Sequence, residues 1–314
     1  MSENKKKKVA VIDVGTLKSK FEIREFDSNY NSELVYKDKQ LTVLGRDLDK
    51  TDNTIIEKSI DKTIEALKLF KEKMNEFGVN KYVGVTTEAI RKAKNADEVL
   101  KKIKQETEIS LITLSHDDEA KVYFHSVSKD FPGKVIAVSD IGGGSVQVVI
   151  GKDEEIFQTF LFKTGTYYLQ ERFSKTHHPS EEEVNAAYDY VKEQLKSLTE
   201  GKNQPELLVY GSTNIIDFFK AMNLNLIPSD NTGAHKFETT VEELKPLYEK
   251  LISLSYEDRM PLYPDEPYYM WAADKALMNI FAICEYLKIN RIFPSNNNIS
   301  TGLLLSLAKD ESIK

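Results

Sequence analysis

The sequence predicts an α/β protein built from two repeated halves. Three observations predict it. The stretch VAVIDVGTLKSKFEI near the N-terminus returns in related form as VIAVSDIGGGSVQVVI near the middle, each a strand, an Asp-x-Gly turn and a second strand. Strand-like and helix-like periodicities alternate along the chain, as in α/β domains. At 314 residues there is room for two domains of ordinary size.

Residues 8–26 read as two strands, VAVIDVG and SKFEIREF, joined by a turn at Gly15 to Lys18. A third strand pattern, SELVYKDKQLTVL, follows. From Thr54 to Phe77 apolar residues recur at helical spacing, among them Ile60, Ile64, Leu67 and Phe70. A strand at YVGVTT, helical segments at EAIRKAK and ADEVLKKIKQET and the strand ISLITLS lead into the turn SHDD and the helix EAKVYFHSVSKD. The proline and glycine of DFPGK mark the domain boundary, dividing the chain into 1–130 and 131–314. Next come the strands VIAVSDI, SVQVVIG and EEIFQTFLFKTG and a helix from Thr166 to Phe173. A long helix is opened by Pro179-Ser180 and three glutamates. The strand ELLVYGS, the helix TNIIDFFKAM, a mostly helical stretch, the short strand RIFPS and a last helix, STGLLLSLAK, complete the second half.

Composition narrows the function. A net charge of −7 argues against a general nucleic-acid binder, although Lys18, Lys20, Arg91, Lys92 and Lys94 could gather around a polyanion. No apolar run approaches the roughly eighteen residues of a membrane span, so no membrane partner is expected. The N-terminus MSENKKKKVA has no apolar signal region behind its lysines. A single cysteine, Cys284, leaves no disulfide to form, reads as a buried thiol and points to the cytoplasm. The five histidines show no metal-ligand spacing, so no zinc site is expected.

The glycine turns carry the chemistry. In DIGGGS, Asp140 to Ser145, three glycines remove the side chains that would block a bulky anion and allow positive φ values that aim backbone N–H groups inward. Asp140 would repel a phosphate directly, so a divalent ion between the two best explains its place. A hairpin with a capping aspartate is the plainer alternative. The first copy, Asp13-Val14-Gly15-Thr16, matches it in position. A third turn, Gly211-Ser212-Thr213, opens a helix, where an anion site and a simple capped connection are equally compatible. Asp117, Asp118 and Glu119 suit a helix macrodipole with no further role, or one of them orients water for attack on phosphorus.

With these residues in view, the order of motifs resembles the exopolyphosphatase and guanosine pentaphosphate phosphohydrolase family. The resemblance covers nearly the whole chain and is most specific in TTEAIRKAKNADEVLKKIKQETEISLITLSHDDEA, DIGGGS, GTYYLQERF and YGSTNII. It implies an α/β, duplicated actin-like ATPase (ribonuclease H-like) fold, with two domains around a central cleft. It also implies release of terminal phosphate from polyphosphate or guanosine pentaphosphate by water, with magnesium (or manganese) as cofactor. By position, Gly15, Thr16, Lys18, Arg91, Gly142, Gly143, Gly144, Ser145, Gly211, Ser212 and Thr213 match phosphate-binding positions. Asp13 and Asp140 match metal positions. The water-activating base falls at Asp118 and the second acidic position at Gln147.

The chain also departs from the pattern. Asp118 is one methylene shorter than the family's glutamate, and Gln147 is neutral. Leu17 and Lys18 replace a Ser-Asn-Ser type turn, and Tyr168 stands for an arginine. Tyr269-Met270-Trp271 stands for Arg-Ala-Asp, and the last glycine-rich turn reads Ser295 to Thr301 without glycine. Three functions follow: a divergent phosphohydrolase, a phosphate- or nucleotide-binding sensor that has lost turnover, and a kinase of the same superfamily, placed last. A homodimer through the helix at 180–198 or the aromatic segment 262–271 is an alternative to their being core, the plainer reading.

Overall fold

The computed structural model describes residues 6–16, 18–45, 48–174, 178–200, 203–211, 214–231, 233–264 and 266–311. The chain forms two compact units: Met1–Val122 with Ile299–Lys314, and Tyr123–Asn298.

In the first unit β1 (Lys7–Val14), β2 (Ser19–Phe26) and β3 (Ser32–Gln40) form an antiparallel meander. Then come α1 (Glu57–Glu76), β4 (Lys81–Thr86), α2 (Glu88–Lys92), α3 (Ala96–Thr107), β5 (Leu111–Thr113) and α4 (His116–Ser128), which runs on into the second unit. The sheet order is β3-β2-β1-β4-β5, with β4 parallel to β1 and β5 parallel to β4. Strand β1 reads as a continuous apolar run because both its faces are covered. Ala10, Ile12 and Val14 join Leu67 and Phe70 of α1 and Ile103 of α3. Val9 and Val11 face the other way.

The second unit repeats the plan. It contains β6 (Val135–Ile141), β7 (Val146–Lys152), β8 (Glu155–Phe162), α5 (Thr166–Phe173), α6 (Glu181–Leu195), β9 (Leu207–Gly211) and α7 (Ile215–Ala221). These are followed by a small ribbon of β10 (Ile227–Pro228) and β11 (Phe237–Glu238), then α8 (Val241–Ser253), α9 (Tyr256–Arg259), α10 (Ala273–Leu287) and β12 (Ile292–Ser295). Read from its meander edge, the sheet is β8-β7-β6-β9-β12, the counterpart of the first. Register shifts occur at matching places, after Ile23 of β2 and after Ile150 of β7. Helix α6 starts with a capping box between Ser180 and Glu183, which satisfies two end groups reciprocally. Cys284 of α10 is buried, and burial pushes its thiol up to about 12, so it stays protonated and unreactive. In the first turn of the same helix, Asp274 is fully buried between two cations, 2.8 Å from Arg259 and 2.7 Å from Lys275.

The last helix, α11 (Ile299–Ala308), belongs with the first unit. The division expected at 130 and 131 assigned it to the second domain; the first sheet's other face explains the difference. Leu303, Leu304, Leu307 and Ala308 cover Val9, Val11, Val83 and Val85. An added Cβ on Gly302 would lie 2.3 Å from the Val122 carbonyl oxygen, so glycine lets α11 approach α4. Lys7 donates to the Ala308 carbonyl (3.1 Å) and Lys81 to that of Leu307, and both pair with Asp310. Cations thus sit at the negative end of the helix.

Candidate functional site

The two Asp-x-Gly turns close in the same way. Gly15 N donates to Lys18 O at 3.0 Å, and Gly142 N donates to Ser145 O at 3.0 Å. In each case an added Cβ would come within 3.2 Å of that same carbonyl. Close approach, rather than a left-handed backbone, explains these glycines. Among the described residues the positive-φ glycines are Gly78 and Gly133, so the expected nest with positive φ at DIGGGS is corrected. The N–H groups of Gly15 and Gly142 close the turns and are not aimed at a ligand. Gly144 is open on its side-chain side, with nothing among the described residues within 4 Å of an added Cβ.

A second glycine supports each turn, and the sequence reading missed both. Gly45 N donates to Thr16 O at 2.9 Å, which commits one end of Thr16 to the fold. An added Cβ on Gly165 would lie 2.4 to 2.5 Å from the backbone of Gly143, Gly144 and Ser145. Thr166 N and Tyr168 N then donate to Gly142 O and Gly143 O, fixing the start of α5 on DIGGGS. The available signal was a lone glycine at the end of a strand, just before a helix.

Asp13 pairs with Lys20 across β1 and β2, with Lys20 Nζ 3.8 Å from its carboxylate. In the second sheet Asp140 lies between Gln147 of β7 and Gly211 of β9, and neighbours in register share a face. Gln147 is buried. Gly211 has its own explanation: an added Cβ would fall 1.4 Å from the hydroxyl oxygen of Tyr123. That hydroxyl is buried with no hydrogen-bond partner among the described residues, and burial together with the nearby Asp140 charge raises its pKa far above the usual phenol value. Ser212 and Thr213 lie outside the described residues.

Asp118 and Glu119 are separated by their partners. Ser115 Oγ donates to Asp118 Oδ2 at 2.6 Å, and Asp118 N donates back to Ser115 Oγ at 3.1 Å. With Ser115 N also 3.3 Å from Oδ2, Asp118 completes a cap on α4. Glu119, one residue on, takes the guanidinium of Arg91. Arg91 also donates to Leu114 O, to Glu88 (3.1 Å) and to His116 Nδ1 (3.3 Å), and its Nε is buried without a hydrogen-bond partner among the described residues. Burial and the Arg91 charge lower the His116 pKa, favouring the neutral ring. Arg91 and Glu119 are both largely shielded, with side chains 18% and 13% exposed, so their attraction is weakly screened.

A Ser-His-Asp chain also occurs. His235 lies 2.8 Å from Asp130 through Nδ1 and 2.8 Å from Ser295 Oγ through Nε2. Ser295 is 1% exposed, and its Oγ accepts from Asn297 N at 3.1 Å. Asp130 also accepts from Ala234 N at 2.7 Å. The chain therefore ties the loop before β11 to β12 and presents no nucleophile to solvent.

The donor set can be tested against a metal. Among the described residues no group of three or more His, Cys, Asp or Glu could form a protein cage. Magnesium does not require one, since it commonly takes one or two carboxylates and completes its shell with water and phosphate oxygens. Asp13 and Asp140 each supply one carboxylate to such an arrangement, with the Lys20 ammonium 3.8 Å from Asp13.

Two sheets of the same order, each with a matched Asp-x-Gly turn, define a duplicated actin-like ATPase fold. The chain belongs to the Ppx/GppA phosphatase family, whose model matches residues 24–311. It is 25% identical to a crystallised Ppx/GppA family member from Aquifex aeolicus, with a TM-score of 0.86 over 98% of this chain and 100% of that one. Among curated relatives, it is 30% identical over 206 residues to a bifunctional 3-dehydroquinate synthase/phosphatase of Fusobacterium nucleatum, covering 62% of this chain and 31% of that protein. It is 27% identical over 227 residues to exopolyphosphatase 1 of Mycobacterium leprae, covering 69% of this chain and 66% of the relative. The chain thus spans about a third of the first relative and just under two thirds of the second.

Proposed function

We propose that the chain is a phosphohydrolase that releases terminal phosphate from inorganic polyphosphate or guanosine pentaphosphate. The observation that carries this reading is the Arg91–Glu119 pair. A guanidinium suited to phosphate oxygens and a carboxylate suited to accept a proton from water are held together and largely shielded. Glu119, beside the phosphate-binding guanidinium, is taken as the base in place of the expected Asp118, whose Oδ2 accepts from Ser115 at the start of α4. Arg91 orients phosphate by exchanging part of its contact with Glu88 for the ligand. In the second unit the open side of Gly144 admits an anion, and Asp140 is the residue to hold magnesium or manganese. The ion, when bound, would neutralise phosphate charge.

The test is phosphate release from polyphosphate and from guanosine pentaphosphate by pure protein with magnesium or manganese. Glu119→Gln is expected to lower the rate by about a hundredfold or more, the usual worth of a general base. No release from either substrate would overturn the hydrolase reading. A second reading, a sensor that binds phosphate without turnover, is favoured by buried, neutral Gln147 in register with Asp140. Calorimetric binding without release would support it.

A further inference from the structure

Next to the DIGGGS turn lies an aromatic surface that the phosphate chemistry does not use. Tyr167 of α5 lies against Gly143, with its Cδ2 3.3 Å from where a Cβ would sit on that glycine. Its residue is nevertheless 41% exposed, among the large hydrophobic and aromatic side chains left facing solvent. The ring packs on Trp271, with centroids 4.6 Å apart and planes inclined by 48°. Trp271 in turn meets the edge of Tyr256 at 6.3 Å. Tyr167 cannot drift from the turn, because Thr166 N and Tyr168 N on either side of it are bonded to Gly142 O and Gly143 O.

We infer that Tyr167, backed by Trp271, is a stacking platform for the base of a nucleoside polyphosphate whose phosphates occupy the DIGGGS turn. The inference rests on the reading that this turn takes phosphate, and it narrows the ligand class of that site. Inorganic polyphosphate has no apolar surface and gains nothing from an aromatic ring beside its binding turn. A ligand carrying both phosphates and a planar base gains a stacked contact of a kind that tolerates different bases. The distance also suits such a ligand, since the ring touches the turn itself and a base in contact with it stays within a nucleotide's length of Gly144.

Trp271 is the one tryptophan of the chain, so its emission reports on this surface without labelling. The experiment titrates the protein, with magnesium, against guanosine triphosphate, adenosine triphosphate, guanosine and inorganic tripolyphosphate, following Trp271 emission and heat. The expected result is that both nucleotides bind roughly 5- to 100-fold more tightly than tripolyphosphate, the range that base–aromatic stacking supplies. They should also change the emission where tripolyphosphate does not. Tyr167→Ala should remove the difference, leaving tripolyphosphate binding unchanged, and Tyr167→Phe should keep it. Equal binding of nucleotide and tripolyphosphate, indifferent to Tyr167→Ala, would overturn the platform and leave the phosphate reading standing. No binding of tripolyphosphate together with equal binding of guanosine and its triphosphate would overturn the phosphate reading, and the inference with it. Absence of binding by all four would overturn both.

Discussion

Tyr123 places its hydroxyl where a side chain on Gly211 would begin, 1.4 Å from the position of an added Cβ. The glycine that ends β9 is therefore required by a tyrosine on α4, whatever the turn after it binds. Gly211→Ala should drive the ring from its site and destabilise the protein by about 3 kcal/mol or more, at the upper end for overpacking. Tyr123→Ala combined with Gly211→Ala should be less destabilised than the sum of the two single changes. Urea unfolding of the four proteins in this cycle measures it.

Asp118 is expected to matter to α4 more than to chemistry. Asp118→Ala removes the carboxylate that accepts from Ser115 and should cost about 1 kcal/mol of stability, in the range for a lost helix cap. Phosphate release should stay within a few-fold of the parent. A loss as deep as that of Glu119→Gln would return the role of base to Asp118.

Asp274 sits between Arg259 and Lys275 with all three side chains removed from water. Asp274→Asn leaves two cations buried without their counter-ion and should destabilise by about 3–5 kcal/mol. Denaturant midpoints compared with unchanged slopes will show it.

Acid should loosen α11. Hydrogen bonds from Lys7 and Lys81 bring the Asp310 carboxyl down to about 2. A carboxyl depressed on folding stabilises the protein above its unfolded value near 3.8 and loses that contribution as pH falls through about 2. Amide exchange in residues 299–308 should therefore quicken between pH 4 and 2 relative to the intrinsic rate, and Asp310→Asn should flatten that response. High salt should weaken the effect, because the group is exposed.

Much of the fold was legible in the sequence because it rests on periodicities that local residues set. The helix Thr166 to Phe173 and the opening of a helix after Ser180 came out as read. The repeat of Asp-x-Gly turns foretold two sheets of the same order. Side-chain commitments were less legible. Nothing in SHDDE distinguishes the carboxylate that caps from the one that meets Arg91, because that depends on how a 23-residue span brings Arg91 back to Leu114. That Gly211 makes room for the Tyr123 hydroxyl was not legible, because Tyr123 is distant in sequence. The division expected at DFPGK falls instead at Val122 and Tyr123, inside α4, and the return of α11 to the first unit is a long-range pairing that no local signal carries.

That return has a consequence for synthesis. On the ribosome, the second unit has all of its strands and helices available once residue 298 has emerged. The first sheet at that moment still has Val9, Val11, Val83 and Val85 without the leucines that will cover them. The half made first is thus the half completed last, and a nascent chain stalled before α11 offers a holdase chaperone a greasy sheet face. Expression of residues 1–122 alone should yield aggregates, while a circular permutant that begins with 299–311 and continues into β1 should give a soluble first half.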